Sequence, residues 1–125
     1  MEITAVVPVL RSFDETKARG FYLDYLGMTA DWEHRFEPHL PLYLQVSRGD
    51  LVLHLSEHHG DATPGSTVYV AMTGLTQFHD ELAERDYPHL NPEVGTDELG
   101  TWLELIDPFG NRLRFHEPNE AAPSS

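Results

Sequence analysis

The sequence predicts an α+β fold built from two βαβββ modules, and two observations carry that prediction. Strand-like alternation and helix-like spacing follow one another in the same order in each half of the 125 residues. The halves also superimpose at a fixed offset of 60 residues, "LVLHLSE" (51–57) over "NRLRFHE" (111–117) and "TAVVPVL" (4–10) over "PGSTVYV" (64–70). An offset shared by strand, helix and hairpin favours duplication over a chance match. The first module is expected over residues 1–60 and the second over 61–118, with a disordered tail over 119–125 rich in Pro, Ser and Ala.

The elements follow in order. "AVVPVL" (5–10) reads as a strand, which Pro8 confines to an edge, a bulge or a hinge. Asp14 is the expected N-cap of a helix in which Phe21, Tyr22, Tyr25 and Leu26 recur at helical spacing until Gly27 ends the run. "TADWEHRF" allows a further strand, and "LYLQV" and "LVLHL" flank "SRGD" as a hairpin. The turn-rich linker "EHHGDATPGS" leads to "STVYVAM", a strand, and to the amphipathic "LTQFHDELAERDY" with Leu75, Phe78 and Leu82 inward. "TWLELI" and "RLRFHE" around "DPFGN" close the second half as a hairpin.

Composition narrows the function. There are no cysteines, which removes disulfides, thiolate metal sites and cysteine nucleophiles. No apolar run reaches the roughly 20 residues of a membrane span, and the start lacks a signal-peptide pattern, so a cytoplasmic protein with no membrane partner is expected. Eight Lys+Arg against 21 Asp+Glu give a net charge of −13, a field that repels phosphates and attracts cations. Glycine-rich phosphate loops and basic patches are absent, so no nucleic-acid partner is expected.

The doubled unit, with "FY" then "LG" in the first helix and "DPFGN" in the last hairpin, resembles the vicinal oxygen chelate superfamily over essentially residues 3–118. That superfamily includes glyoxalase I, extradiol dioxygenases, fosfomycin-resistance transferases and bleomycin-resistance proteins. The resemblance implies the glyoxalase/bleomycin-resistance fold, with curled mixed sheets forming a cup and helices outside. It also implies four metal-ligand positions, which here are Val7, His54, Thr67 and Arg114, with 47 residues between the two positions of each half. Valine offers no donor and arginine is a permanent cation, so no metal, no cofactor and no catalytic residue are expected.

Among metal-free members the chain resembles the bleomycin-resistance proteins through "AVVPVL", "STVYVAMTGLTQFHDEL" and "DPFGNRLRFHEP". This implies a homodimer with Pro8 as hinge for strand exchange, and a small cationic or aromatic ligand, bleomycin-like, stacked on aromatic side chains. Trp32 and Phe36 in "DWEHRF" stand about where such aromatics are placed. Leu99 in "ELG" stands where the family carries an aromatic before a glycine, so one side of that sandwich is missing.

Alternation assigns the faces of the strands. Leu103, Leu105, Leu113 and Phe115 form the apolar set of the last hairpin, which turns Trp102, Glu104, Arg112, Arg114 and His116 into the cup. A turn closed by Asp107 and Asn111 sets Arg114 across from Glu104, as an internal ion pair or as a solvent-facing one without function. A two-residue turn at Gly49 and Asp50 sets Tyr43 and Gln45 beside His54, and Thr67 and Tyr69 share the cup face of their strand. The rival to a binding protein is a metal-dependent lyase, dioxygenase or transferase that recruits His54 with His116 or Glu104. A domain with a regulatory ligand is the third reading.

Overall fold

In the computed structural model, which describes residues 1–35, 37–85, 87 and 92–119, the element order is that of two βαβββ modules. The first contains β1 (Val9–Arg11), α1 (Glu15–Arg19) continued by a π-helical turn (Gly20–Tyr25), β2 (Thr29–His34), β3 (Tyr43–Arg48) and β4 (Leu51–Ser56). The second contains β5 (Thr67–Ala71), α2 (Leu75–Glu84), β6 (Val94–Asp97), β7 (Gly100–Ile106) and β8 (Arg112–Pro118). Each module forms its own mixed four-stranded sheet, ordered β1-β4-β3-β2 and β5-β8-β7-β6. The pairs β1–β4 and β5–β8 are parallel and the others antiparallel. Among the described residues β1 and β2 are the outer strands of the first sheet, and β5 and β6 those of the second. The chain falls into two compact units, Met1–Ser66 with Asp107–Asn111, and Thr67–Ile106 with Arg112–Ser125.

In the first unit Asp14 caps α1 as expected, its carboxylate accepting from the Lys17 N–H at 2.9 Å. The helix then widens: Leu26 N–H reaches back five residues to the Phe21 carbonyl at 2.9 Å. Phe21, Tyr22, Tyr25 and Leu26 are buried together along this turn, and Gly27 at φ 73° ends the run. The "AVVPVL" strand is shorter than expected. It begins only at Val9, because Pro8 has no N–H to donate, although its carbonyl accepts from His54 N–H at 3.0 Å.

The "DPFGN" turn is a polar hub of the same unit. The buried Asp107 carboxylate accepts from Phe109 N–H and Asn111 N–H at 2.8 Å, from Asn111 Nδ2 at 2.9 Å and from the Tyr22 hydroxyl at 2.6 Å. Asn111 also donates to the Arg11 carbonyl at 2.9 Å and accepts from Ser66 N–H at 3.2 Å. Burial first, and the Asp107 charge second, push the Tyr22 hydroxyl well above its ordinary pKa, so it stays a proton donor. The "FY" and "DPFGN" motifs are thus two ends of one buried hydrogen-bond network.

In the second unit Gly74, at φ 73°, precedes α2 without a side chain to cap it. Glu117 of β8 supplies the acceptor instead, taking the Leu75 N–H at 2.9 Å. Phe78 of α2 packs on Phe115 at 5.1 Å between ring centroids, over the buried Leu103, Leu105 and Leu113. The helix ends at Glu84, short of the predicted Tyr87. At the start of β7 a side chain on Gly100, at φ 139°, would collide with the Glu117 carbonyl oxygen, so only glycine lets β7 and β8 close there. Residues 120–125 of the predicted tail lie outside the described residues. Among the described residues no helix is long and apolar enough to cross a membrane.

Candidate functional site: an aromatic and imidazole cluster on each sheet

In the first unit, a two-residue turn between Arg48 and Leu51 places Gln45 opposite His54 and Tyr43 opposite Ser56. Leu42, Leu44 and Val46 are buried, as alternation requires, and the other face carries the polar set. Trp32 stacks on Tyr43 at 5.9 Å and 6°, and meets His54 edge-on at 5.2 Å. A continuous hydrogen-bond chain fixes these groups. Asp31 is a carboxylate and only accepts, so the Gln45 Nε2 3.0 Å away donates to it. Gln45 Oε1 then faces the His54 ring at 2.9 Å, which requires a proton on His54 Nε2. Nδ1 of the neutral ring is left to accept from the Tyr43 hydroxyl at 2.6 Å. Burial holds the His54 pKa below its ordinary value, and burial with the nearby Asp61 charge raises that of Tyr43, both in favour of this arrangement. Hydrogen bonds from Gln45 and Ser47 hold the Asp31 carboxyl below its ordinary range.

In the second unit β7 and β8 pair in the expected register, Trp102 with His116 and Glu104 with Arg114, and β5 sets Tyr69 beside Arg114 and Thr67 beside Arg112. Trp102 stacks on His116 at 3.8 Å and 14°, and Tyr69 donates to or accepts from His116 Nδ1 at 2.7 Å. The Leu99 carbonyl, 3.1 Å from His116 Nε2, can only accept, so Nε2 carries a proton. The indole N–H of Trp102 and the Leu99 N–H both donate to Asp97, at 3.0 and 2.8 Å, and hold its carboxyl below the ordinary range. The Glu104–Arg114 pair is present at 3.5 Å, but it is shared: Arg112 approaches the same Oε1 at 3.4 Å.

The structure therefore brings Trp32, Tyr43, Gln45 and His54 together in one cluster, and Tyr69, Trp102, Glu104 and Arg114 on the face of the other sheet. Thr67 is exposed on that face at the rim, beside Arg112. Leu99 takes part through its backbone, while its side chain is exposed. Phe36 lies outside the described residues. His116 and Arg112 stand on the face to which the sequence reading turns them, and the groups absent from that reading are Asp97 and Asp31. Strand alternation already turns His116 and Arg112 to this face, whereas Asp31 sits at a bulge in β2 and Asp97 in a strand the sequence does not single out. A separate open groove of about 320 Å³ in the first unit is lined by Ser12, Phe13, Arg35, Leu40, Pro41 and Glu57 among others, away from the described predicted site residues.

The donor chemistry does not fit a metal at the four positions that the resemblance implies. Val7 has no donor, Arg114 is a cation, Thr67 is a weak neutral oxygen, and His54 spends both ring nitrogens on Tyr43 and Gln45. Among the described residues no group of three or more His, Asp or Glu is placed to hold an ion.

A comparison with curated proteins finds no match. Solved structures give close likenesses. A bleomycin-binding protein from bleomycin-producing Streptomyces verticillus, complexed with copper(II)-bleomycin, is 28% identical with a TM-score of 0.70, over 95% of this chain and 99% of that one. TnmS3, an antibiotic binding protein from Streptomyces sp. CB03234, shares the fold at 22% identity and a TM-score of 0.73, over 95% and 99%. A glyoxalase family protein from Bacillus anthracis does so at 21% and 0.65, over 95% and 98%. The family described as "Glyoxalase superfamily protein" matches residues 1–122, and with the doubled βαβββ topology this establishes that the chain belongs to the glyoxalase superfamily.

Proposed function

We propose that the chain is a metal-independent binding protein that sequesters a small cationic or aromatic, antibiotic-like molecule in a crevice of a homodimer. The observation that carries this reading is the state of His54: it is the one implied position with a metal-binding side chain, and both of its nitrogens are committed within the protein. Three further features support it. Half-exposed aromatic rings on each sheet face, Trp32 in one and Tyr69 in the other, offer stacking surface. The net charge of −13 favours a cationic guest. The solved relative at 28% identity is a bleomycin-binding protein.

The dimer is part of the same proposal. Met1, Ile3 and Val6 are exposed apolar residues ahead of Pro8. A proline with fixed φ is a suitable hinge for passing that segment to a partner edge.

A titration of the EDTA-treated protein with metal-free bleomycin, followed by tryptophan fluorescence and melting temperature, tests the reading. Saturable quenching with a rise of several degrees is expected, since ligand at about 100 times Kd adds about 2.7 kcal/mol. A response that appears only after one equivalent of a divalent ion is added contradicts metal independence. No response removes bleomycin from the ligand class, with Leu99 in place of an aromatic as the cause.

A further inference from the structure

The exposed face of the second sheet carries an unusual neighbourhood for so acidic a chain. Register places Ala71, His116 and Trp102 side by side in one row, then Tyr69, Arg114 and Glu104, then Thr67, Arg112 and Ile106. Two guanidinium groups therefore lie two residues apart on the same face of β8 and share a single carboxylate oxygen, at 3.4 and 3.5 Å. Both are about half exposed, 48% each, and the cluster of three charges keeps a net positive charge within a chain of −13. Each guanidinium has five N–H donors, so one shared carboxylate leaves most of that capacity directed at the face. Directly beside Arg114 stands Tyr69, 56% exposed, in edge contact with Trp102 at 6.2 Å.

We infer that this face of the second sheet is a subsite for a planar aromatic group carrying a carboxylate, the ring lying on Tyr69 and Trp102 and the carboxylate received by Arg112 and Arg114. Arginine matches a carboxylate through paired N–H donors, and a flat ring gains from an adjacent aromatic wall. The chain's overall field repels a free anion, so the ring contact is needed to bring the carboxylate in. The inference rests on the binding reading and sharpens its aromatic branch.

Matched probes test it: pyrenecarboxylate, its neutral carboxamide and the corresponding pyrenylmethylammonium, each titrated by fluorescence at low and high salt. The carboxylate is expected to bind about fivefold more tightly than the carboxamide at low salt, the scale of a half-exposed ion pair, with the advantage shrinking as salt rises. Arg112→Gln and Arg114→Gln are each expected to remove most of that advantage, lowering carboxylate affinity by a larger factor than carboxamide affinity. Equal binding of carboxylate and carboxamide, preference for the ammonium, or discrimination that survives both substitutions overturns the inference and leaves the binding reading standing. Failure of all three probes to bind also overturns the inference, whereas the binding reading stands or falls on its own titration. Circular dichroism of the variants establishes that they fold.

Discussion

Gln45 decides the protonation of His54. Its amide is oriented by a carboxylate, and that orientation passes along the chain until the imidazole has one acceptor nitrogen, facing Tyr43, and one donor nitrogen, facing Gln45. With burial holding the folded pKa below the ordinary 6.5, the neutral ring contributes stability in full above the unfolded pKa, and the contribution is lost as pH falls through the folded value. An NMR titration of the His54 ring is expected to give a midpoint below 6.5, and a midpoint at or above it contradicts the assignment. Tyr43→Phe removes the donor that favours the neutral ring; it is expected to raise that midpoint and to cost about 0.5–1.5 kcal/mol in urea unfolding. Lone residues such as His54 were legible in the sequence because alternation fixes what lies beside them. Their protonation was not, since it depends on a side chain two strands away.

At the scale of elements, the two motifs that suggest the family, "FY" and "DPFGN", are explained by one buried carboxylate. Asp107 accepts four hydrogen bonds and orders a turn, a helix side chain and, through Asn111, the β1 backbone. Asp107→Ala leaves the Tyr22 hydroxyl and the Asn111 amide buried without their partner, and is expected to cost about 3 kcal/mol or more. A loss below about 1 kcal/mol in denaturant unfolding contradicts the hub. The hairpins were legible because alternation and paired turn residues favour one register, although at Gly49 and Asp50 a one-residue slip would exchange the two faces. The π-helical turn was not, because Phe21, Tyr22, Tyr25 and Leu26 also fit an ordinary amphipathic helix. The short β1 was not either, since Pro8 permits a strand edge as well as a break.

For the whole molecule, the duplication was legible from the 60-residue offset, and each copy folds its own sheet. The offset also exposes how the copies have diverged: His54 of the first corresponds to Arg114 of the second, an imidazole committed to hydrogen bonds against a guanidinium. The exposed apolar N-terminal residues predict a dimer, so sedimentation equilibrium is expected to give twice 14.2 kDa, and a monomer at high concentration contradicts the crevice. The proposal of metal-independent binding turns on whether the four implied positions have metal affinity. Calorimetric titration of the EDTA-dialysed protein with zinc or manganese, with tryptophan fluorescence in parallel, is the most direct measurement. No stoichiometric binding and no fluorescence change are expected, whereas one equivalent bound tightly with a change in tryptophan emission contradicts metal independence.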